Sequence, residues 1–212
     1  MIDHTELKPT ATPDRIRELC AEAVKFGFGA VCVNSCYVQL ASSTLSGSQV
    51  AVCSVVGFPL GAMSSEAKAY EARTAVKDGA TEIDMVLNVG LLKAGRIDDV
   101  RRDIEAVVQA TGDDIVKVIL ETGYLTTDEI VEACRAAERA GAHFVKTSTG
   151  FGPRGATVED VRLMRSVVGD RLGVKAAGGI RTLEDALAMI DAGANRIGAS
   201  RGITILSGFD AQ

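Results

Sequence analysis

Three lysines lie inside short apolar segments of this 212-residue sequence, where charged side chains are unusual. Lys117, Lys146 and Lys175 each directly follow a valine in a segment rich in β-branched or small residues. A buried ammonium is costly without a partner, although a single lysine near the end of a strand can extend to water. Three such lysines in successive predicted strands favour a functional role.

Lys146 is the candidate nucleophile. A second ammonium nearby would favour its neutral amine, and a neutral amine attacks a carbonyl carbon to form a Schiff base. Asp84 lies in another apolar segment, Glu-Ile-Asp-Met-Val. Its carboxylate would either neutralise part of the lysine charge or carry protons between a lysine and a water molecule. We favour the second role, because a nucleophilic amine needs an acid/base partner.

Short β-branched segments alternate with longer segments of helical periodicity along the sequence. The helical segments begin with capping patterns, such as Thr12-Pro13, Thr126 three residues before Glu129, and Thr182 three residues before Asp185. A repeated strand-then-helix order is typical of a parallel sheet covered by helices. The predicted strands are residues 2–6, 30–34, 50–57, 82–89, 116–121, 144–149, 173–177 and 196–200.

A weak internal repeat indicates that this sheet closes into a barrel. Before each even-numbered predicted strand, a glycine ends the preceding helix. The residue five positions after that glycine lies within the strand, and these residues occupy equivalent positions in the repeat. Inward side chains of one barrel layer come from alternate strands, so these positions should lie at similar heights. Helix-terminal glycines are common, but that does not explain Asp and Lys at matched positions. The four positions are Cys32, Asp84, Lys146 and Gly198.

The sequence therefore predicts the α/β class, with a single (β/α)8 TIM barrel over residues 1–212. Eight units sharing 212 residues leave room for a strand, a helix and two short loops each, but not for a second domain. Cys32 inside the barrel is either an inert packing residue or a thiol that reacts with aldehydes. Together with Lys117, it belongs to the predicted substrate-binding set.

Glycine-rich turns after three neighbouring predicted strands indicate a phosphate site. Glycine lets backbone N–H groups approach a phosphate closely, and barrels often bind phosphate on the loops after strands seven and eight. Close packing of the backbone is the competing interpretation of these glycines. The candidate residues are Gly150, Gly178, Gly179, Gly198 and Ser200, with Arg181 and Arg201 beside them.

The composition excludes several function classes. With 23 Lys and Arg against 28 Asp and Glu, the net charge of −5 argues against a nucleic-acid partner. No apolar run approaches the ~18 residues of a membrane span, so no membrane partner is expected. Five cysteines without a CxxC pair predict a reducing, cytoplasmic location. With two histidines and no HExxH or HxH spacing, the sequence argues against a histidine-rich metal site, and no metal or cofactor is predicted.

At these residues the sequence closely resembles the deoxyribose-phosphate aldolase family, whose members are class I (Schiff-base) aldolases with a TIM-barrel fold. The two lysine segments, Phe-Val-Lys-Thr-Ser-Thr-Gly-Phe and Val-Lys-Ala-Ala-Gly-Gly-Ile-Arg-Thr, together make the match specific. The matching segments run from one end to the other: residues 3–5, 56–61, 82–86, 117–122, 144–151, 174–182 and 196–200.

The resemblance implies reversible cleavage of 2-deoxy-D-ribose 5-phosphate to D-glyceraldehyde 3-phosphate and acetaldehyde, without a metal. By this resemblance Lys146 is the Schiff-base lysine, and Asp84 and Lys175 form a proton relay. Asp3 and Thr5 match positions near the substrate in the family. The family's phosphate-binding loops match Gly150, Gly178, Gly179, Gly198 and Ser200.

The sequence departs from some relatives at three places. A lysine directly after the glycine of the Lys-Thr-Ser-Thr-Gly motif is replaced by Phe151, which removes one phosphate contact. Arg201, where some relatives have serine, would compensate. Some relatives end in a tail that carries a tyrosine, whereas this sequence ends in Asp210-Ala211-Gln212, so tail-assisted proton transfer is not expected.

Other interpretations remain open at this level. Another phosphate-binding barrel, such as a transaldolase-like enzyme or a sugar-phosphate isomerase, would share the glycine loops, and an isomerase would form no Schiff base. A non-catalytic sugar-phosphate sensor would keep the binding residues but would not need Asp84, Lys146 and Lys175. We also expect a homo-oligomer, either a dimer or a tetramer, with a small-molecule sugar phosphate as its partner.

Overall fold

Eight parallel strands close into a barrel within residues 1–208, which are the residues that this computed structural model describes. Each strand pairs with the next along the chain, and the last pairs with the first. The chain end considered above, 210–212, lies outside the described residues. The predicted (β/α)8 TIM barrel is confirmed. The strands are β1 (Ile2–Glu6), β2 (Ala30–Val33), β3 (Ala51–Val56), β4 (Glu82–Val86), β5 (Ile115–Ile119), β6 (Phe144–Lys146), β7 (Gly173–Ala177) and β8 (Arg196–Ala199).

Helices cover the outside of the barrel. Several helices begin with an N-cap side chain that accepts a hydrogen bond from a backbone N–H of the first turn, namely Thr12, Ser64, Thr126, Thr157 and Thr182. The capping patterns named above for Thr12, Thr126 and Thr182 are among them. Such caps satisfy donors that the helix itself cannot. The helices are α1 (Pro13–Phe26), α2 (Val38–Thr44), α3 (Ser65–Lys77), α4 (Val89–Lys93), α5 (Ile97–Thr111), α6 (Thr127–Arg139), α7 (Val158–Val168), α8 (Leu183–Asp191) and α9 (Gly202–Ser207).

Six strands end earlier than the sequence predicts, and two of them, β4 and β6, end three residues earlier. β4 ends at Val86 rather than at residue 89, and β6 ends at Lys146 rather than at residue 149. Beyond β6, the backbone N–H of Thr149 donates to the carboxylate of Glu121 instead of to a neighbouring strand. Apolar composition predicted longer strands, because it cannot show where a side chain replaces the sheet as the hydrogen-bond partner.

The apolar core has two parts. The larger part packs the outward side chains of the strands against the helices, which is why both faces of the strands are covered. The smaller part lies on or directly after the first three strands and consists of Leu7, Ala30, Cys32, Cys53 and Val55. These short side chains leave interior volume for the long charged side chains of the later strands. None of the helices described here is both long and apolar enough to cross a membrane.

A buried ion pair joins α3 to α5 outside the barrel. Lys68 is fully buried, and its Nζ lies 2.6 Å from Asp103 Oδ2 and donates to the carbonyl oxygen of Val86 at 2.9 Å. Ser65 donates to the other Asp103 oxygen at 2.7 Å. A Cβ on Gly57 would lie 3.0 Å from Lys68 Cε. The pair therefore connects the end of β4 and the loop after β3 to the helix layer.

We expect Asp103→Ala to lower the free energy of unfolding by about 3–5 kcal/mol, because it leaves the buried Lys68 ammonium without its anion. Urea unfolding followed by circular dichroism measures this loss. As a control, Asp14→Ala removes an exposed ion pair with Arg17 and should cost about 0.5 kcal/mol or less. Equal losses in the two variants would contradict the role assigned to the buried pair.

Candidate active site

Asp84 on β4 is the centre of a buried group of lysines. Its Oδ2 accepts hydrogen bonds from Lys146 Nζ and Lys175 Nζ, each at 2.7 Å. Its Oδ1 accepts one from Lys117 Nζ at 2.9 Å and lies 3.1 Å from Cys53 Sγ. The structure thus brings together the three lysines and the carboxylate that the sequence analysis singles out, and one carboxylate contacts all three ammonium groups.

Strand register explains this convergence. Asp84 pairs with Lys117 across β4 and β5, and Lys146 pairs with Lys175 across β6 and β7. Side chains alternate between the two faces of a strand, so directly paired residues point to the same face. Lysines from three strands therefore meet the same carboxylate in the barrel interior.

Arg196 and two further carboxylates extend this network. Asp3 Oδ2 lies 2.5 Å from Lys175 Nζ, and Glu82 Oε2 lies 2.6 Å from Lys117 Nζ. Arg196 Nη2 contacts both carboxylates, at 2.7 Å from Asp3 and 3.0 Å from Glu82. With every group ionised, the network holds four cations and three anions. This excess of positive charge favours the loss of a proton from the network.

The charges of Asp84 and Lys175 are fixed by each other. Burial alone would lower the pKa of Lys175, but the carboxylates of Asp3 and Asp84 outweigh burial and raise that pKa well above the ordinary lysine value. Burial would raise the pKa of Asp84, but the surrounding ammonium groups hold it well below its usual value. Lys175 is therefore protonated at neutral pH, and its Nζ lies 2.7 Å from the carboxylate oxygen that Lys146 also contacts.

A cavity of about 380 Å³ opens at the carboxyl ends of the strands, and Lys146 lies on its wall. Only 2% of Lys146 is exposed, so the cavity reaches little more than the end of its side chain. Most of the predicted phosphate and substrate residues line the same cavity. They are Thr5, Gly150, Gly178, Gly179, Arg181, Gly198, Ser200 and Arg201.

Five predicted site residues are buried behind the cavity wall instead of lining it. Lys117 is predicted from the sequence to bind substrate, but the Nζ of Lys117 contacts Glu82 and Asp84 in the interior. The reason is physical: an ammonium in the middle of a covered strand needs nearby anions, and those anions lie inside the barrel. The five residues are Asp3, Cys32, Asp84, Lys117 and Lys175.

Known proteins with similar sequences and structures identify the family. Residues 1–208 match the family described as DeoC/LacD family aldolase. The chain belongs to the DeoC/LacD aldolase family. The resemblance drawn from the sequence segments is thereby confirmed, and so is the assignment of the chain to the aldolases.

Among its relatives, a protein from Thermoanaerobacter sp. (strain X514) named deoxyribose-phosphate aldolase is 61% identical over 209 residues, which cover 97% of this chain and 94% of that protein. A protein of the same name from Thermococcus gammatolerans is 61% identical over 211 residues, covering 98% and 94%. A solved structure of deoxyribose phosphate aldolase from Aeropyrum pernix, described as a unique tetrameric structure, has a TM-score of 0.92 at 35% identity and covers 99% of this chain and 89% of that one.

Glu121 shapes the loop after β6 in this DeoC/LacD aldolase, and the sequence analysis missed it. Its φ of 56° lies in the left-handed region, which is unusual for glutamate. Its buried carboxylate accepts a hydrogen bond from the Thr149 backbone N–H at 3.2 Å and another from the Thr149 hydroxyl. Thr149 Oγ1 in turn accepts one from the Phe151 backbone N–H at 3.0 Å. Glu121 therefore holds the turn that contains Gly150.

Gly155 joins two loops of the cavity and was also missed. A Cβ on Gly155 would lie 2.2 Å from the carbonyl oxygen of Gly178. The neighbouring Ala156 donates its backbone N–H to that same oxygen at 3.0 Å. The loop after β6 is therefore in direct backbone contact with the loop after β7. A single glycine in a long loop gives no sequence signal for such a contact.

The buried anions should make stability depend on pH. Folding lowers the pKa of Asp84 below its ordinary value of 3.8, so the unfolded chain binds the proton more readily and the folded state gains stability as pH rises. This contribution is present above the ordinary pKa and is lost as pH falls through the folded one. We expect Asp84→Asn to be about 3–5 kcal/mol less stable at neutral pH and to show a shallower decline in acid.

Unfolding free energies measured by urea titration at several pH values test this expectation. The matched control is Glu132→Gln, which neutralises a carboxylate in an exposed pair with Arg135 and should keep the wild-type profile. An acid profile of Asp84→Asn that is as steep as that of the wild type would contradict the argument.

Proposed function

We propose that this aldolase catalyses the reversible cleavage of 2-deoxy-D-ribose 5-phosphate to D-glyceraldehyde 3-phosphate and acetaldehyde, through a Schiff base on Lys146. The observation that carries the proposal is the position of Lys146, which lies on the cavity wall and 2.7 Å from Asp84. The similar proteins named deoxyribose-phosphate aldolase support the choice of substrate.

The covalent steps use the amine of Lys146. Its Nζ adds to the aldehyde carbon of the open-chain sugar, and loss of water gives an iminium ion. The C2–C3 bond then breaks, its electrons move toward the iminium nitrogen, and the C3 hydroxyl loses its proton as D-glyceraldehyde 3-phosphate forms. The enamine that remains takes up a proton on carbon, and hydrolysis of the resulting iminium releases acetaldehyde and restores the amine.

Asp84 and Lys175 are proposed to move the protons that these steps require. Asp84 Oδ2 contacts both lysine nitrogens at 2.7 Å, so a proton leaving Lys146 has a carboxylate within direct reach. Lys175 is protonated at rest, so it can give a proton to a water molecule and take one back later in the cycle, while Asp3 keeps its side chain in place at 2.5 Å.

The phosphate is proposed to bind at the glycine loops of the cavity. Gly178 and Gly179 have φ values of 87° and 82°, a conformation that suits glycine and turns successive backbone groups toward a ligand. Arg181 and Arg201 line the same cavity and supply positive charge. Phe151, which stands where some relatives have lysine, packs edge-on against Phe58 with ring centroids 5.4 Å apart. Arg201, on the β8 side of the cavity, is thus proposed to supply the positive charge that a lysine on the β6 side would supply in some relatives.

Reductive trapping tests the covalent step. Sodium borohydride added with 2-deoxy-D-ribose 5-phosphate should reduce the Schiff base and leave an adduct on Lys146, which peptide mass spectrometry locates. Lys146→Met should give no adduct, whereas Lys93→Met, at a lysine paired with Glu129 on the surface, should be trapped like the wild type. An adduct absent from Lys146 would refute the assignment, and isomerase activity without trapping would favour a sugar-phosphate isomerase.

Arg201→Ala should raise the KM for 2-deoxy-D-ribose 5-phosphate by roughly tenfold or more, because a hydrogen bond to a charged group contributes about 1.5–3 kcal/mol. Phe151→Lys should lower that KM by adding a cation at the cavity rim. Steady-state assays with the phosphorylated sugar and with 2-deoxy-D-ribose measure both effects. The unphosphorylated sugar is the control: if its KM changes equally, Arg201 does not contact the phosphate.

We also propose that residues 1–212 form one domain and that the protein assembles as a homo-oligomer, a dimer or a tetramer. All eight strands belong to a single closed barrel within the described residues, which supports one domain. The tetrameric relative from Aeropyrum pernix supports assembly. Large apolar side chains on the helical surface, among them Val24, Phe26, Tyr70 and Leu187, are exposed and available for a subunit contact.

A further inference from the structure

Two thiols and a carboxylate converge inside the barrel, behind the wall of the cavity. Cys32 on β2 and Cys53 on β3 are directly paired across the two strands, and both are fully buried. Their Sγ atoms and a carboxylate oxygen of Asp84 all lie within 4.8 Å of one another. Cys53 Sγ is 3.1 Å from Asp84 Oδ1. The proposed aldol mechanism uses neither thiol.

We infer that Cys32, Cys53 and Asp84 form an inhibitory site for a thiophilic divalent cation of the Zn²⁺ or Cd²⁺ class. Thiolates are the ligands that these ions prefer, and a carboxylate oxygen is a common additional ligand. Three donor atoms from three adjacent strands are already gathered, so binding needs side-chain adjustment rather than a change of fold. The effect on activity, but not the binding itself, rests on the proposed function.

The lysines around the site do not oppose this binding through net charge. One cation enters with two positive charges, two metal–sulfur bonds and one metal–oxygen bond form, and two thiol protons leave to solvent. The net charge of the interior is therefore unchanged. Lys117 Nζ lies 3.5 Å from Cys53 Sγ, so its ammonium group faces one of the two sulfur ligands.

Asp84 can be given up to a metal ion because two of its lysines have other partners. Lys117 keeps Glu82 at 2.6 Å, and Lys175 keeps Asp3 at 2.5 Å. Among the described residues, Lys146 forms its ion pair with Asp84 alone. The carboxylate oxygen beside Cys53 is Oδ1, so a metal ion bound through it displaces Lys117, which keeps Glu82, and takes up charge of the carboxylate that Lys146 contacts through Oδ2. The proton-transfer group of the proposed mechanism becomes a metal ligand, and turnover stops.

The site lies directly behind the wall of the substrate cavity, which is the nearest opening described here. Leu7 belongs to the same apolar cluster as Cys32 and Cys53 and also lines the cavity. Lys146 lines the cavity and contacts Asp84, so a single layer of side chains separates the thiols from the opening. A bound sugar phosphate would cover this route, and substrate should therefore slow metal entry.

Cadmium titration of the substrate-free protein tests the site directly. The exposed Cys36 is first removed as Cys36→Ala, because a surface thiol would add background. In this background we expect an ultraviolet sulfur-to-cadmium charge-transfer band that saturates at one ion per chain and disappears with a chelator. Cys53→Ala in the same background should lose the two-thiolate band. The matched control is Cys134→Ala, which removes a buried thiol on α6 and should keep the band.

Thermal unfolding followed by circular dichroism establishes that each variant is folded. If Cys53→Ala does not fold, Cys53→Ser takes its place. Aldolase assays with and without Cd²⁺ give the second readout. In the Cys36→Ala background Cd²⁺ should inhibit the enzyme, and a chelator should restore its activity. In the Cys53 variant the activities with and without Cd²⁺ should be nearly equal. A protein without aldolase activity would still show the band, so failure of the proposed function is distinguishable. Absence of the band in the Cys36→Ala background, or an undiminished band in the folded Cys53 variant, would overturn the site.

Discussion

The carboxylate of Asp84 is the group on which the interior depends. Excluded from water, it is an anion because three ammonium groups surround it, and these groups in turn can be buried because anions face them. The parallel register of the strands sets the positions of all four groups, so the barrel and the charge network require each other. A slip of one residue in a strand would turn its lysine toward the apolar helix layer.

The partners of the three lysines differ, and this difference separates their roles. Lys117 and Lys175 each have a second carboxylate, which keeps them charged and in place. Lys146 shares Asp84 with both and is the lysine of this group that lies on the cavity wall. In the proposed mechanism, one of three chemically identical amines acts as the nucleophile because the other two are each held by an additional anion.

Much of this arrangement could be predicted from the sequence, for identifiable reasons. Alternation along the strands and the glycine repeat placed Asp84, Lys146 and Cys32 in the interior, and the capping residues placed the helix starts. The contacts of Arg196 with Asp3 and Glu82 could not be predicted, because they join strands far apart in sequence. The left-handed backbone of Glu121 gave no signal either, because nothing in its neighbouring residues requires that conformation.

The contact between Gly155 and Gly178 restricts how this cavity can change over evolution. Because no side chain fits between the two loops, their backbones behave as one rigid rim, and a substitution at either glycine disturbs both. Variation in anion preference is then confined to side chains that project from the rim, such as Phe151, Arg181 and Arg201. Phe151 and Arg201, where the sequence is expected to depart from some relatives, both lie on this cavity, so exchanges at these positions would move a charge without altering the loops that present it.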